Sequence, residues 1–374
     1  MGKIYLPYAE QFDLMNRNLE AIAGAISRDL DVSTWAGVQK AVRAGVASSL
    51  FPVGTRFTVN HSVYGNKAYD VVAHDHYKSA HGEYAHTMTL MSHDIVLGTI
   101  PYEYAEALYY AETALSVGSY RFTIPRDYWG LKSGTYYFTL TKGLPAGGVI
   151  CLAKGKDVDI VTGGLVTYKD RSDTSTYETT GVSTSAISAT NLGTMGQELN
   201  HVVRVCIGSD NYKESFMRQY LNSNGTMSGS WRPQTKYDVK PTGLTSLSGY
   251  FGGLDEELRD VIGEVVVPCV ANESWESPDS SVKVGEKYTV KDKVFLASRT
   301  EVFGEDTRDD GSSQLAYYND ATNADRVKYL NGNAASWFLR SSDLEATLSV
   351  GSDGDKFRVG NHATAGLVPV FNIV

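Results

Sequence analysis

Histidines are concentrated in one part of the sequence, and their spacing is the first sign of possible chemistry. Six of the eight lie between His61 and His93. His74 and His76 are two residues apart, so on a β-strand both imidazoles would project from one face. With a third histidine from the same region, such a pair is typical of a zinc or iron site. Imidazoles also fill half-buried strands. The pair is therefore a metal candidate only, and no cofactor is predicted.

A second polar run, residues 305–311, is acidic enough to suggest calcium. It contains Glu305, Asp306, Asp309 and Asp310. The spacing does not match an EF-hand loop, and Arg308 would oppose a cation. The sequence favours a solvated loop here.

Signatures of common enzymes are absent from the sequence. It has no G-x-S-x-G, P-loop, G-x-G-x-x-G or H-E-x-x-H motif. The three cysteines, Cys151, Cys206 and Cys269, are far apart and odd in number. This pattern indicates free thiols made in a reducing compartment and not a disulfide framework. The sequence predicts a protein that is not an enzyme.

Overall charge limits the choice of partners. The 374 residues include 34 Lys and Arg against 43 Asp and Glu, a net charge of −9. An acidic chain without a basic run repels phosphate backbones and anionic lipid, so we expect no nucleic acid as a partner. No run of about 18 uncharged apolar residues suggests a membrane span. We also expect no signal peptide.

The elements that must position these residues begin with a helix near the amino terminus. Apolar residues spaced alternately 3 and 4 apart predict a heptad seam over residues 1–30. Such a seam favours either a parallel oligomerisation stalk of few strands or an amphipathic helix lying on its own domain. Ser33 or Thr34 would then begin a second helix, and Phe51-Pro52 would end the helical region, 1–50. The predicted oligomerisation residues are Phe12, Met15, Leu19, Ile22 and Ile26.

From residue 51 the pattern changes to short strands. Alternating apolar residues in TRFTV, AYDVVAHD, SYRFTI and TYYFTLT predict antiparallel sheets up to about residue 162. Residues 163–197 are rich in Thr, Ser and Gly. The segments NYKESFMRQYLNS, GLDEELRDVIGEVV and NADRVKYL have helical spacing, the last ending at Asn331-Gly332. The sequence predicts a strand-rich α+β protein.

Two runs near the end of the chain resemble a known family. Trp337-Phe338-Leu339-Arg340-Ser341 and, about 25 residues later, Gly366-Leu367-Val368-Pro369 resemble the W-x-L-R-S … G-x-x-P end of a C-type-lectin-like domain family. This family is frequent in proteins of Gram-positive gut bacteria and their prophages, and the whole chain resembles prophage-encoded proteins of clostridial type. AYDVVAHD, NYKESFMRQYLNS and KVFLASRTEVFG resemble its opening strand, helix and later strand. Receptor-binding variable proteins of diversity-generating retroelements and formylglycine-generating enzymes share the broad fold.

The resemblance implies a domain organisation. Residues 51–98 and 205–374 would form a C-type-lectin-like domain, interrupted by an inserted antiparallel β domain at 99–204. Trp337 would supply core bulk, and the Arg340 guanidinium would tie carbonyls or a carboxylate together. Gly366 and Pro369 would fix a final turn and an edge strand.

The resemblance also implies a ligand-binding face between the two anchors, because variable proteins of this fold present contact residues from that region. An ordinary solvated hairpin is the alternative. The implied contact residues are Asp343, Glu345, Thr347, Ser349, Asp353, Asp355, Lys356, Phe357, Arg358, Asn361 and His362.

Together these features lead to a functional hypothesis. The chain would be a phage or prophage virion protein, made in the bacterial cytoplasm, that displays a lectin-like domain for attachment to a host surface. Its partners would be its own copies, in a homo-oligomer such as a trimer, other virion proteins, and a host glycan or protein. One alternative is a capsid or tail decoration protein without a host ligand. Another is an enzyme, either polysaccharide-degrading or of the formylglycine-generating type, although the latter uses cysteines near the carboxyl end, where this chain has none.

Overall fold

A computed structural model of the chain describes residues 31–103, 113–124, 143, 146, 211–232, 234, 244–271, 285–305, 310–343, 346–360 and 364–374, together with the strands between 106 and 205. Some of the predicted functional residues lie outside these ranges. They are the oligomerisation residues Phe12, Met15, Leu19, Ile22 and Ile26, and three of the contact residues, Glu345, Asn361 and His362.

The described helices are short and lie between strands. They are α1 (Trp35–Arg43), α2 (Ala47–Leu50), α3 (Phe216–Asn222), α4 (Met227–Ser230), α5 (Tyr250–Gly253), α6 (Glu256–Val261), α7 (Arg299–Phe303) and α8 (Asn323–Arg326). Up to residue 205, the strands are β1 (Arg56–His61), β2 (Gly65–His74), β3 (Lys78–Ser79), β4 (Met88–Ser92), β5 (Leu97–Pro101), β6 (Glu106–Tyr110), β7 (Gly118–Ile124), β8 (Gly134–Leu140), β9 (Val149–Lys154), β10 (Asp159–Ile160), β11 (Leu165–Asp170), β12 (Asp173–Thr180), β13 (Ser185–Ala186), β14 (Gln197–Glu198) and β15 (Arg204–Val205). After it come β16 (Ile262–Gly263), β17 (Val265–Val270), β18 (Lys287–Asp292), β19 (Val294–Phe295), β20 (Lys328–Leu330), β21 (Asn333–Ala335), β22 (Trp337–Asp343), β23 (Ala346–Val350), β24 (Lys356–Gly360), β25 (Thr364–Leu367) and β26 (Val370–Ile373). The predicted strand-rich α+β class is confirmed.

The last strand, β26, lies inside a sheet. The strand order of that sheet is β1-β2-β4-β26-β16, and β19 also pairs with β26. All four residues of β26 are buried, as are all five of β4, because both strands are covered on their two faces. The prediction of an edge strand after Pro369 is therefore wrong. The carbonyl oxygen of Pro369 accepts a hydrogen bond from the backbone N–H of Ser92.

A second sheet joins early and late parts of the chain. Its order is β24-β23-β22-β25-β5, so β5 from the first hundred residues pairs with β25 near the end. The small sheet β18-β17-β3 makes a similar long-range connection. Residues before and after the middle segment consequently share one hydrophobic core.

The middle segment forms sheets of its own. Their strand orders are β12-β11-β9-β6-β15, with β10 beside β9, and β13-β8-β7-β14. Every pairing given for these strands is antiparallel except that of β14 with β7. The core before this segment continues beyond residue 98, because Tyr102 and Glu103 are buried.

Helix α1 packs against the body of the protein. Of the two capping residues predicted, Ser33 and Thr34, it is the Thr34 side chain that caps the helix, by accepting from the N–H of Gly37. Its buried face packs into the main core, and the N–H of Trp35 donates to the carboxylate of Glu257 at 2.9 Å. The buried residues of this helix therefore belong to the main core.

Two predicted helices are shorter than their sequence pattern suggests. Helix α6 ends at Val261, because the β-branched run that follows forms β16 and β17. Helix α8 ends at Arg326, and the next residues form the hairpin β20–β21. Asn331 and Gly332, predicted as a helix end, are instead its two turn residues, with φ of 51° and 82°.

We predict that Gly366→Ala destabilises the fold. A Cβ at this position would lie 2.6 Å from a methyl of the buried Ile95 and 2.9 Å from the backbone carbonyl oxygen of Ser336. We expect a loss of about 1–3 kcal/mol in the free energy of unfolding, measured with urea. The matched control is Gly225→Ala, whose new Cβ would meet its nearest neighbour at an ordinary 3.4 Å. Equal stability losses in both variants would contradict the prediction.

Candidate functional site

A fully buried guanidinium lies at the junction of four segments. All five N–H groups of Arg340 have acceptors. Nε donates to the carbonyl of Pro268 at 2.9 Å, and Nη1 donates to the carbonyl of Leu296 at 2.8 Å. Both Nη atoms donate to Glu301 at 2.6 Å, and Nη2 also reaches Asp310 at 3.3 Å. The predicted role for Arg340, tying carbonyls and a carboxylate together, is confirmed.

The Glu301 carboxylate also accepts a hydrogen bond from a donor other than Arg340. It occupies the third position of helix α7 in a capping box. Its Oε2 accepts from the N–H of Ser298 at 2.8 Å, and the Ser298 hydroxyl accepts from the N–H of Glu301 at 3.2 Å. His76 Nε2 lies 3.7 Å from Oε1. Burial raises the pKa of Glu301, but the charge of Arg340 and the contacts with His76 outweigh it and hold the pKa well below its ordinary value.

Neighbouring residues of β22 fix the position of Arg340. Trp337, Phe338 and Leu339 are all buried, and the indole N–H of Trp337 donates to the carbonyl of Arg326 at 3.1 Å. Trp337 lies directly opposite Gly366 where β22 and β25 pair in parallel. The two anchors recognised in the sequence are therefore neighbours in space.

We predict that Arg340→Gln is strongly destabilising, because it leaves the buried Glu301 carboxylate without its counter-charge. The expected loss is about 3–5 kcal/mol in the free energy of unfolding. The double variant Arg340→Met with Glu301→Leu should recover part of this, since it removes both charges. A double variant no more stable than Arg340→Gln would contradict this account. Lys356→Gln, which removes an exposed ion pair with Glu305, is the control and should change stability little.

Acid should weaken the fold partly through Glu301. Because the folded state holds its pKa below the unfolded value, the contribution is complete above about pH 4.3 and declines as the pH falls further. We therefore expect Glu301→Gln to be less stable than wild type at neutral pH, with a smaller further loss on acidification. Urea unfolding at several acidic pH values gives the free energy of unfolding of wild type and of Glu301→Gln as a function of pH. The same dependence on pH in both proteins would count against this role for Glu301.

His74 and His76 do not act as a pair. Strand β2 ends at His74, and Asp75 has φ of 53°, so the premise that both histidines project from one strand face is wrong. His74 Nε2 lies 2.9 Å from the carbonyl oxygen of Phe51, whereas His76 faces Glu301. Among the described residues, no group of three or more His, Cys, Asp and Glu has an arrangement suited to a metal ion.

The other described histidines also have separate partners. Three of them lie beside carboxylates that the sequence pattern did not reveal: His81 with Glu264 at 2.9 Å, His86 with Asp75 at 3.1 Å, and His93 with Asp70 at 2.6 Å. His61 is buried, and its Nε2 lies 3.0 Å from the carbonyl oxygen of Tyr250. Burial lowers its pKa and favours the neutral ring.

The acidic run is partly structural. Asp310 is buried, accepts from Arg340 and binds the backbone N–H of Ser312 at 2.9 Å. This part of the predicted solvated loop therefore belongs to the core. Glu305 is exposed and pairs with Lys356. Residues 306–309 lie outside the described part of the chain.

Cys269, the one cysteine whose side chain the structure describes, is unsuited to nucleophilic chemistry. It is buried in β17, and burial raises its pKa to about 12. The thiol therefore stays protonated at neutral pH.

Seven of the predicted contact residues can be placed as buried or exposed. Thr347 and Ser349 are 0% and 2% exposed because β23 is covered on both faces, so the prediction that these two contact a ligand is wrong. Asp343 ends β22. The exposed group lies on the β23–β24 turn and on β24, and we call it the β24 face. It consists of Asp353, Asp355, Lys356, Phe357 and Arg358.

The β24 face is held rigidly although it is exposed. Among the described strands β24 pairs with β23 alone and so forms the sheet edge. Gly354 in the preceding turn has φ of 81°, and a Cβ there would lie 1.8 Å from the carbonyl oxygen of Asn323, so the turn is pressed against helix α8. Lys356 binds Glu305 and lies 5.5 Å from the ring centre of Phe303. Phe357 remains 52% exposed.

These observations define a strand-rich α+β protein built around a buried Arg–Glu pair. A family model described as a domain of unknown function, DUF6273, matches residues 187–374, just over half of the chain. The chain belongs to this family. No curated protein and no solved structure matches it significantly. No helix in the described residues is long and apolar enough to cross a bilayer.

Proposed function

We propose that this chain is a non-enzymatic attachment protein of a phage or prophage particle, in which a C-type-lectin-like domain presents the β24 face to a host surface. The observation that carries the proposal is the solvent exposure of Phe357 on an edge strand whose turn and neighbouring strand are rigidly packed. Binding residues are commonly presented in this way, on a segment positioned by a fixed scaffold.

The strand order supports the lectin-like part of the proposal. The W-x-L-R-S and G-x-x-P runs lie on adjacent strands, and the chain returns at its end to pair with β4 and β5 from its first hundred residues. In a domain closed by early and late strands, the exposed part of the segment between the two anchors, the β24 face, lies at the surface.

The chemistry of the β24 face suits a polar ligand with flat apolar surfaces, such as a glycan. An exposed aromatic ring can stack on a sugar ring, and the adjoining carboxylates and cations can hydrogen-bond to hydroxyl groups. In a homo-oligomer assembled through residues 1–30, for instance a trimer, several weak contacts would act together. The gain over one site would be about 10²–10⁴-fold if the geometry allows simultaneous binding.

We predict that Phe357→Ala weakens attachment without unfolding the protein. The readout is cosedimentation of the purified chain with intact cells of the bacterial strain that carries the gene, and we expect at least about a tenfold loss of affinity. The matched control is Tyr329→Ala, because Tyr329 is another exposed aromatic, 46% exposed, outside the β24 face. Equal binding by wild type, Phe357→Ala and Tyr329→Ala would overturn the assignment of the β24 face as the binding surface.

The place of the protein in a particle needs its own experiment. Mass spectrometry of purified particles should detect the chain, and deletion of its gene should reduce adsorption. A deletion that destabilises the particle and leaves adsorption intact would indicate a decoration protein instead. Absence of the chain from the particle would refute a virion role.

A further inference from the structure

A cavity of about 280 Å³ opens on a different part of the surface from the β24 face. Its walls come from residues 76–78, from Val266 and Pro268 of β17, and from residues 311–313. Lys78 and Val266 are directly opposite each other in the β3–β17 pairing. The volume is close to the lower end of the range for small-molecule pockets, about 300–1,000 Å³.

Each wall of the cavity is connected to Arg340. Pro268 accepts from its Nε, and His76 lies against Glu301, its main partner. Asp310 accepts from Nη2 and, through its other oxygen, from the N–H and hydroxyl of Ser312. The cavity is therefore formed by segments whose mutual positions are already fixed, which lowers the ordering cost of binding.

The polar groups around the cavity favour negative charge. Lys78 is exposed and forms no ion pair with another described residue, and His76 lies two residues before it. None of the described lining residues is Asp or Glu. The carboxylates of Glu301, beside His76, and of Asp310, bonded to Ser312, are both engaged by Arg340.

Two serine hydroxyls complete the lining. The Tyr77 side chain is 96% buried, and its hydroxyl lies beside the Glu301 carboxylate and the Arg340 guanidinium. The Ser312 hydroxyl, which donates to Asp310, can accept a hydrogen bond from a ligand, and the Ser313 side chain also lines the cavity.

We propose that this cavity binds a small organic anion whose carboxylate or phosphate group is held by Lys78 and His76, with its polar body against the serine hydroxyls. The cavity shares no lining residue with the β24 face, so this site goes beyond the attachment function and stands independently of it.

Isothermal titration calorimetry of the full chain with inorganic phosphate, glucuronate and uncharged glucose tests the proposal. We expect one or both anions to bind in preference to glucose, and the preferred anion identifies which acidic group is recognised. Lys78→Gln should weaken that binding about tenfold, the usual effect of losing one charge-assisted hydrogen bond. Lys40→Gln, the same change on the exposed side of α1, should leave it unaltered.

A second measurement locates the ligand. Amide NMR shifts of Ser312 and Ser313 should move on titration in wild type and much less in His76→Gln, with both proteins shown to be folded by their melting curves. Failure of either anion to bind, equal binding of glucose, or equal effects of the two lysine variants would overturn the proposal. So would shifts confined to residues away from the cavity.

Discussion

The ion pair between Arg340 and Glu301 is the contact on which the described fold depends most. Neither side chain is more than 1% exposed, and charge in such a place is tolerated only when every polar atom is satisfied. Here the guanidinium has acceptors on β17, at Leu296, on α7 and at Asp310, and the carboxylate also closes a capping box. One side chain of β22 thereby holds four positions between residues 268 and 310. Packing alone, which is less directional, would determine their positions less uniquely.

Strand β22, which carries Arg340, connects this ion pair to the rest of its sheet. Its neighbours on either side are β23 and β25, and beyond them lie the exposed edge β24 and the early strand β5. Trp337 faces Gly366 across β22 and β25, where a larger residue would meet Ile95. From β25 the chain continues directly into β26, which lies between β4 and β16 in the first sheet. A few buried, closely packed positions therefore fix how the two principal sheets lie relative to each other.

Whether a feature of the fold or of the candidate site could be predicted from the sequence depended on how far apart in sequence its interacting residues lie. Local signals gave a cap at Ser33 or Thr34, a helix within NYKESFMRQYLNS and several strands, because capping and alternation act over a few residues. The role of Arg340 followed from its motif, but its partner Glu301 is 39 residues away and no periodicity links them. The Ser298-x-x-Glu301 pattern of a capping box was the one local clue.

The wrong predictions have the same origin. Asn-Gly favours positive φ both at a helix end and in a hairpin turn, so only strand pairing could distinguish them at Asn331. Likewise, two histidines separated by one residue share a face only if the strand continues, and the left-handed Asp75 ends it.

Helix α7 is the element that the β24 face and the cavity have in common. Its residue Glu301 faces His76 at the cavity, while Phe303 and the following Glu305 contact Lys356 beside the β24 face. Coupling between two sites requires an element with two alternative arrangements that both ligands bias. Helix α7 begins in a capping box, is joined to β22 by a bidentate ion pair, and ends at Gly304 in the left-handed conformation. An element constrained at both ends and in its middle has little room for a second arrangement. The helix therefore acts as a rigid spacer, so occupancy of one site should leave the affinity of the other unchanged.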